Sequence, residues 1–252
     1  FCKTKTPWGI DNSGCFGSDS AEVETNIRKL KLLNSCEKCN LHGANLGERE
    51  NHDGSFDEVN LMYANLSGAN LKGAILTGAN LKGADLSDAN IDGANLRYAN
   101  LSYANIEGAN LTGADLTKAY LGGANLKGAN LNNASLWEAN LGGANLKGAN
   151  LSNIYLRGAN LLGANLNGAN FINATLQEAK LKAVKLTDAN LSKANLTGAD
   201  LSGANLNGAD LRGANLSKAN LSKAKLSFAN LSDANLSCAN LSDANLGDAN
   251  LT

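Results

Sequence analysis

Proline, methionine and aromatic side chains are almost missing from this sequence, and neither sign of charge dominates it. One proline and one methionine occur in 252 residues, and aromatic residues make up 5%. So few large rings exclude a conventional core built around aromatic side chains. The 22 Lys and Arg balance 23 Asp and Glu, which argues against nucleic-acid binding. No apolar run reaches the roughly 18 residues that a membrane-spanning helix needs.

What the sequence has instead is a repeat of five residues. From Leu61 to Leu251 every fifth position is apolar, which makes 39 consecutive positions without a change of register. All are leucine except Ile91, Ile106 and Phe171. Alanine stands two residues earlier in all but three repeats, and Asn or Asp stands between the two in 31 of the 39. The unit is therefore A-(N/D)-L-x-x.

A period of five matches neither an α-helix nor a β-strand, whose side chains repeat every 3.6 and 2.0 residues. The chain must turn once in each repeat if all the leucines are to share one core. Four repeats then form one square coil, with leucine and alanine inside and the other three residues outside. Such a coil is stable only when it stacks on its neighbours, as in solenoid proteins.

The segment LSGANLKGAILTGANLKGADLSDAN, residues 66–90, resembles the pentapeptide-repeat family, most closely its members from cyanobacteria and other photosynthetic lineages. The resemblance covers about three quarters of the chain. It implies an all-β fold, a right-handed quadrilateral β-helix of about ten coils. It does not imply a single function, because members of the family differ in what they do.

The chain before the repeats has a different period. Val23, Ile27, Leu30 and Leu33 are spaced along one face of a helix, and Asp19 and Glu22 are spaced as a capping box. We expect a short helix that covers the first coil. The expected domains are residues 1–34, with this helix, and the β-helix of residues 35–252, interrupted by a loop at residues 47–56.

Four cysteines lie near the N-terminus, and they are candidates for disulfides: Cys2, Cys15, Cys36 and Cys39. Three pairings are possible from sequence alone. The last two stand at inward positions of the repeat, and the resemblance favours a buried pair there, either as a disulfide or as thiols. His42 and His52 follow them, but the spacing is not that of a zinc site, so we predict no metal.

Catalysis requires titratable groups that converge in a concave site, and no repeat contains a histidine. We therefore predict no catalytic residues, no cofactor and no enzyme activity. If residues 20 apart stack, most of the bulky departures from the repeat fall on one face. The candidate interaction patch is Ile75, Arg97, Tyr98, Trp137, Glu138, Tyr155 and Arg157. Trp137 and Arg157 would be neighbours in successive coils, close enough for a cation–π contact.

The sequence predicts a non-enzymatic scaffold or interaction protein that docks on a larger assembly, with no nucleic acid as partner. The alternatives are a DNA-mimicking topoisomerase inhibitor, a role that the resemblance brings, and a purely structural spacer. The repeats continue to Thr252 without a cap, so we expect a protein partner or self-association at that end. The first residue is Phe1, which is expected of a processed chain or a fragment. Clustered cysteines favour an oxidising compartment. The resemblance to members from photosynthetic lineages implies a thylakoid lumen or periplasm, with the cytoplasm as the alternative.

Overall fold

The computed structural model describes residues 19–47 and 56–252, and within them the one α-helix, α1, spans Asp19–Leu33. Val23, Ile27 and Leu30 are buried and belong to the same apolar core as the repeats. The amide Nδ2 of Asn26 in α1 donates to the carbonyl oxygen of Asn40 at 2.9 Å. The helix therefore packs on the first coil, as its apolar face predicts.

One expectation about α1 turns out differently. Leu33 is 64% exposed, so its predicted place on the buried face is wrong. The helix ends at Leu33, and Asn34 takes a left-handed φ of 46°, which turns the chain towards the first coil before this leucine can reach the core. The predicted capping box depends on the side chain of Asp19, which lies outside the described residues.

The repeats form a coil with a period of 20 residues. Parallel β-bridges join residues 20 apart along the stack, ending with the bridge between Asn230 and Asn250. In a typical repeat, the N–H of Asn80 donates to the backbone carbonyl oxygen of Val59 in the previous coil at 2.8 Å. The N–H of Leu81 donates to the backbone carbonyl oxygen of Asn100 in the next coil, also at 2.8 Å. Each side of the coil is a short bridge rather than a long strand, and the stacking supplies the backbone hydrogen bonds that one coil lacks.

The two residues after each central leucine form the corner. In the same repeat, the N–H of Ala84 donates to the carbonyl of Leu81 at 3.0 Å. Gly83 has a left-handed φ of 65°, which a turn of this kind needs at its third position. The Oδ1 atom of Asn80 accepts the remaining N–H, from Lys82, at 3.3 Å. Asparagine recurs before leucine because its side chain completes the hydrogen bonding of the corner.

The first coil is longer than the others. The bridges from Ser35 to Asn60, from Asn40 to Asn65 and from Asn45 to Asn70 each span 25 residues rather than 20. After this coil the period is 20. The extra five residues fall within the chain segment that includes the predicted loop, and residues 48–55 of that segment lie outside the described part of the chain.

The core is a continuous column of leucine and alanine. Both are buried from Leu61 to Leu231, and Phe171 fits the column with no exposed surface. Near the C-terminal end, leucine and alanine from Ala234 to Ala249 are only partly buried. Burial therefore depends on a neighbouring coil on both sides, as the solenoid architecture requires.

The stack has four faces, since a 20-residue coil contains four repeats. Face 1 comprises residues 60–63 and those that follow at intervals of 20. Face 2 begins in the same way at residues 65–68, face 3 at residues 70–73 and face 4 at residues 75–78. Faces 4 and 1 are consecutive along the chain and share a corner.

Candidate protein-binding surface

Exposed apolar side chains are concentrated on two adjacent faces of the stack. Tyr98, Trp137 and Tyr155 lie on face 4, and four more lie on face 1. Those four are Tyr63, Tyr103, Tyr120 and Leu162. In the same coils, no large exposed apolar residue lies on face 2 or face 3 among the described residues. The other exposed apolar side chains of the repeats are Phe228 and Leu251, farther along the stack.

All seven residues of the predicted patch lie on face 4. Tyr155 forms a β-bridge with Ser135 of the previous coil. Ile75 forms a β-bridge with Asn95, which lies in the same column. Trp137 is 44% exposed. It stands 20 residues before Arg157, so the two lie in successive coils, as the repeat predicts. The column of departures on face 4 is thus a continuous surface feature.

The cation that contacts Trp137 is not the predicted one. Lys118, from the previous coil, places its Nζ atom 5.5 Å from the centre of the Trp137 ring and 3.5 Å from Oε2 of Glu138. Arg157 instead points its Nη2 atom at Oε1 of Glu178, 3.4 Å away. The predicted Trp137–Arg157 contact is therefore wrong. Lys118 thus contacts both a ring and a carboxylate of the next coil, and Arg157 pairs with a carboxylate of the coil that follows its own.

A second cation lies against a ring two coils before Trp137. Arg97 has its guanidinium carbon 5.8 Å from the centre of the Tyr98 ring, and its Nη1 atom lies 3.2 Å from Oδ2 of Asp115. The hydrogen bond with Tyr98, followed by that with Asp115, raises the pKa of Arg97. Burial raises the pKa of Asp115, but hydrogen bonds from Thr117 and Arg97 outweigh it, so the net pKa is lowered. Both groups are charged at neutral pH.

Tyr120 and Leu162 of face 1 were not among the predicted residues, although their columns contain a readable signal. Tyr120 stands where the repeat has Asn or Asp, and Leu162 stands at an outward position. Between them, Gly122 and Gly142 occupy the outward position after the central leucine. Aligning the repeats at intervals of 20 would have shown these departures beside those of face 4.

The structure tests two of the four cysteines predicted to form disulfides. Cys36 and Cys39 form a disulfide with an S–S distance of 2.00 Å, and both are buried. Cys2 and Cys15 lie outside the described residues. Cys238 is a free and exposed cysteine on face 4.

The histidine candidates do not form a metal site in the part of the chain that the structure describes. His42 contacts Oγ of Ser67 through Nδ1 at 2.9 Å, and His52 lies outside the described residues. Residues 19–47 and 56–252 contain no group of three potential metal ligands. A search of the same residues for a helix long and apolar enough to cross a membrane finds none.

Comparison with known proteins places these features in a family. A family model described as pentapeptide repeats matches eight copies, and the matched segments run from residue 53 to residue 252. They are residues 53–78, 74–113, 109–148, 149–188, 181–217 and 214–252. A search of curated proteins finds no significant match.

Several solved structures are similar to the chain. HetL, described as a pentapeptide repeat protein involved in heterocyst differentiation regulation, comes from the cyanobacterium Nostoc sp. Strain PCC 7120. It is 34% identical, with 88% of this chain and 94% of that chain covered and a TM-score of 0.68. A pentapeptide repeat protein from the thylakoid lumen of Arabidopsis thaliana is 32% identical over 46% of this chain and 70% of that chain, with a TM-score of 0.19.

A plasmid-mediated fluoroquinolone resistance protein, QnrB1, is 20% identical, with 73% of this chain and 89% of that chain covered and a TM-score of 0.38. HetL has both the higher identity and the higher TM-score of the three. Its likeness agrees with the 20-residue coil, the inward leucines and the bridges between successive coils. By its repeats, its coil and the match of its family model, this chain belongs to the pentapeptide repeat family, whose members fold as right-handed quadrilateral β-helices.

Proposed function

We propose that this protein is a non-enzymatic scaffold that binds a protein partner through face 4. The observation that carries the proposal is the concentration of exposed aromatic side chains on faces 4 and 1 and their absence from faces 2 and 3 of the same coils, among the described residues. Aromatic residues and arginine are enriched among the residues that dominate binding energy at protein interfaces. A one-sided distribution is expected of a surface that meets a partner.

The rigidity of the coil stack favours binding by face 4. Backbone hydrogen bonds join each repeat of face 4 to the coils on either side and so fix the place from which its outward side chains project. The Trp137 ring is held further by Lys118, and Arg157 by Glu178. A surface ordered before binding loses less conformational entropy when a partner arrives.

The likeness to HetL supports a regulatory role more than a catalytic one, since HetL is described as involved in the regulation of heterocyst differentiation. The two other functions considered have less support. A DNA-mimicking inhibitor needs a continuous acidic rod, whereas lysines such as Lys127 and Lys147 stand exposed on face 2. A structural spacer would not need a one-sided aromatic surface.

The disulfide between Cys36 and Cys39 supports a thylakoid lumen or a periplasm as the compartment, because disulfides persist in oxidising compartments. The cytoplasm is the alternative. Mass spectrometry of the protein from its native source, with free thiols alkylated before digestion, separates the two. Alkylated Cys36 and Cys39 would favour the cytoplasm.

The C-terminal end of the stack is the second part of the proposal. Its leucines and alanines are partly exposed, and Leu251 is 56% exposed. We propose that a second copy of the chain covers this end, since exposed strand edges and apolar patches are normally covered. Sedimentation velocity should detect a dimer that Leu251→Lys weakens. An unchanged monomer for both chains would refute this part.

The scaffold proposal is tested with a pair of substitutions and a matched pair. Trp137→Ala with Arg157→Ala removes two outward side chains of face 4, one coil apart. Lys127→Ala with Lys147→Ala removes the side chains at the equivalent positions of face 2. A photo-crosslinking side chain at position 137 would identify the partner in an extract of the native source.

With that partner purified, we expect the face 4 pair to weaken binding about tenfold or more, as interface hot spots do. Neither pair should change thermal unfolding greatly, because all four side chains are exposed. Equal affinity of both pairs for the partner would refute binding by face 4. Loss of folding in the face 4 pair would instead assign those residues a structural role.

A further inference from the structure

In most repeats the backbone N–H after the central leucine is paired with a side chain. The Asn or Asp before the leucine accepts it, as Oδ1 of Asn160 accepts the N–H of Leu162 at 3.1 Å. Between residues 62 and 252, six of these N–H groups have no acceptor among the described residues. They belong to Thr77, Gly122, Trp137, Arg157, Gln177 and Lys182.

All six of these N–H groups lie on faces 4 and 1. The repeats that contain them have replaced the accepting Asn or Asp by another residue. Replacement of this Asn or Asp does not by itself leave the N–H unpaired. On face 2 an asparagine of the previous coil accepts the hydrogen bond instead. Thus Oδ1 of Asn167 accepts from Thr187 beside Lys185, and Oδ1 of Asn207 accepts from Ser227, both at 3.1 Å. Among the described residues, these unpaired donors are confined to faces 4 and 1, which carry all the exposed aromatic residues of the repeats except Phe228.

Three of the donors form a run on face 4. Trp137, Arg157 and Gln177 occupy the same position in three successive coils, so their N–H groups repeat at about the 4.8 Å spacing of β-strands. A backbone donor that is covered by a partner without receiving an acceptor costs free energy. A partner that covers this run must therefore supply acceptor oxygens. A carboxylate is suited to this because it accepts several hydrogen bonds and has no donor of its own.

The charges around the run favour the same kind of partner. Each carboxylate of face 4 already has a cation, as Glu138 has Lys118 and Glu178 has Arg157. Face 1 has no Asp or Glu before Asp200. Its Lys180 and Lys182 lie in the same coil as Gln177 and form no ion pair with the described residues. The shared corner of faces 4 and 1 therefore combines unpaired N–H donors with the unpaired ammonium group of Lys180, and Lys182 lies at the next corner of the same coil.

We propose that the partner bound by face 4 presents an acidic segment, which lies along the corner between faces 4 and 1. Its carboxylates accept from the N–H groups of Trp137, Arg157 and Gln177 and pair with Lys180. Its apolar side chains pack on the exposed rings of face 4. This inference rests on the proposed function and adds the chemistry of the partner. A protein segment fits better than nucleic acid, because carboxylates line face 4 as well.

The test uses the full chain and fluorescein-labelled peptides of one length, with repeating Glu-Glu-Phe, Ser-Ser-Phe or Lys-Lys-Phe, together with a labelled oligodeoxynucleotide. Ser135→Asn with Thr175→Asn restores the missing acceptors beside Trp137 and Gln177 and leaves the aromatic and charged side chains in place. Lys225→Asn is the matched control, because the N–H that it would serve already has Asn207. Circular dichroism establishes that all variants fold.

We expect fluorescence anisotropy to show binding of the acidic peptide in preference to the other probes. The Ser135→Asn, Thr175→Asn variant should bind it about tenfold more weakly, and Lys225→Asn should bind as the parent does. Equal binding of the acidic peptide by all three chains would overturn the proposal. So would preference for the neutral peptide, the basic peptide or the oligonucleotide. Affinity of the native partner for the Trp137→Ala, Arg157→Ala chain tests the proposed function separately, since it does not depend on an acidic partner.

Discussion

Replacing Asn130 by alanine should destabilise the protein through the loss of a ladder of side-chain hydrogen bonds on face 3. The Oδ1 atom of Asn130 accepts from Nδ2 of Asn150 at 2.9 Å and from the N–H of Asn132 at 3.3 Å. Its Nδ2 atom donates to Oγ1 of Thr112 at 2.9 Å and to Oδ1 of Asn110 at 3.4 Å. Alanine removes all four and leaves two donors without acceptors.

The magnitude follows from the lengths of these bonds. An ordinary hydrogen bond contributes about 1 kcal/mol net, and two of the four are of ordinary length while two are long. The bonds share atoms and the side chain of Asn130 is only half-buried, so water offsets part of the loss. We expect a decrease of about 2 kcal/mol in the free energy of unfolding. At this chain length that corresponds to a fall of about 4–8 °C in Tm.

Urea unfolding followed by circular dichroism measures this loss. Asn130→Asp keeps both acceptor interactions and loses the donors, so it should cost about half as much. The control is Lys225→Ala at the same position of a face 2 repeat, where the side chain is exposed and makes no ion pair with the described residues. It should change stability by less than about 0.5 kcal/mol. If Asn130→Ala cost no more than the control, the reasoning about the ladder would be refuted.

Three further predictions concern the core, a corner and an ion pair. Phe171→Ala should cost about 3–5 kcal/mol in urea unfolding, because Phe171 is fully buried. Gly83→Ala should move the Tyr63 ring, which occupies the place of the new Cβ, and NMR should show shifted Tyr63 ring protons. A hydrogen bond from Lys127 lowers the pKa of Glu107. Lys127→Ala should raise that pKa towards its ordinary value in a carboxyl NMR titration. Since the folded pKa is lowered, the ion pair stabilises the protein above the ordinary pKa of glutamate, and this is lost as pH falls through the folded pKa.

Each of these predictions has a comparison that can contradict it. Phe171→Leu restores the repeat residue and should cost less than Phe171→Ala. Gly113→Ala has the same left-handed backbone, with φ at 64°, but meets open space. If both glycine variants left the tyrosine rings undisturbed, the ring of Tyr63 would not lie over Gly83. An unchanged pKa of Glu107 in Lys127→Ala would contradict the attribution to this lysine.

Much of the fold is readable from local rules in the sequence. Leucine and alanine at fixed positions of a five-residue unit can share one core only if the chain turns in each unit. The corner at Gly83 needs a residue with a left-handed backbone conformation. The side chain of the asparagine before leucine accepts the one N–H of the corner that has no backbone acceptor. These requirements are met inside a single repeat, so 39 copies predict the coil without further information.

The contacts of the candidate site depend on more than one repeat. Alignment at intervals of 20 places the repeat of Trp137 between the repeats of Lys118, one coil earlier, and Arg157, one coil later. Both side chains are long enough to reach the Trp137 ring. The folded structure shows that Lys118 contacts the Trp137 ring, whereas Arg157 forms an ion pair with Glu178. The distinction depends on the direction in which each long side chain leaves the coil, which the order of residues does not specify.

The period, the inward residues and the face on which bulky residues gather all follow from the order of residues along the chain. Which of the replaced asparagines leave an N–H unpaired depends on contacts between coils in the folded protein. On face 2 an asparagine of the previous coil reaches across, as Asn167 does to Thr187, whereas the residue 20 before Trp137 is Thr117, whose hydroxyl pairs with that of Ser135 instead. A hydrogen bond between coils is set by distances of a few tenths of an ångström, and residue order does not specify those distances.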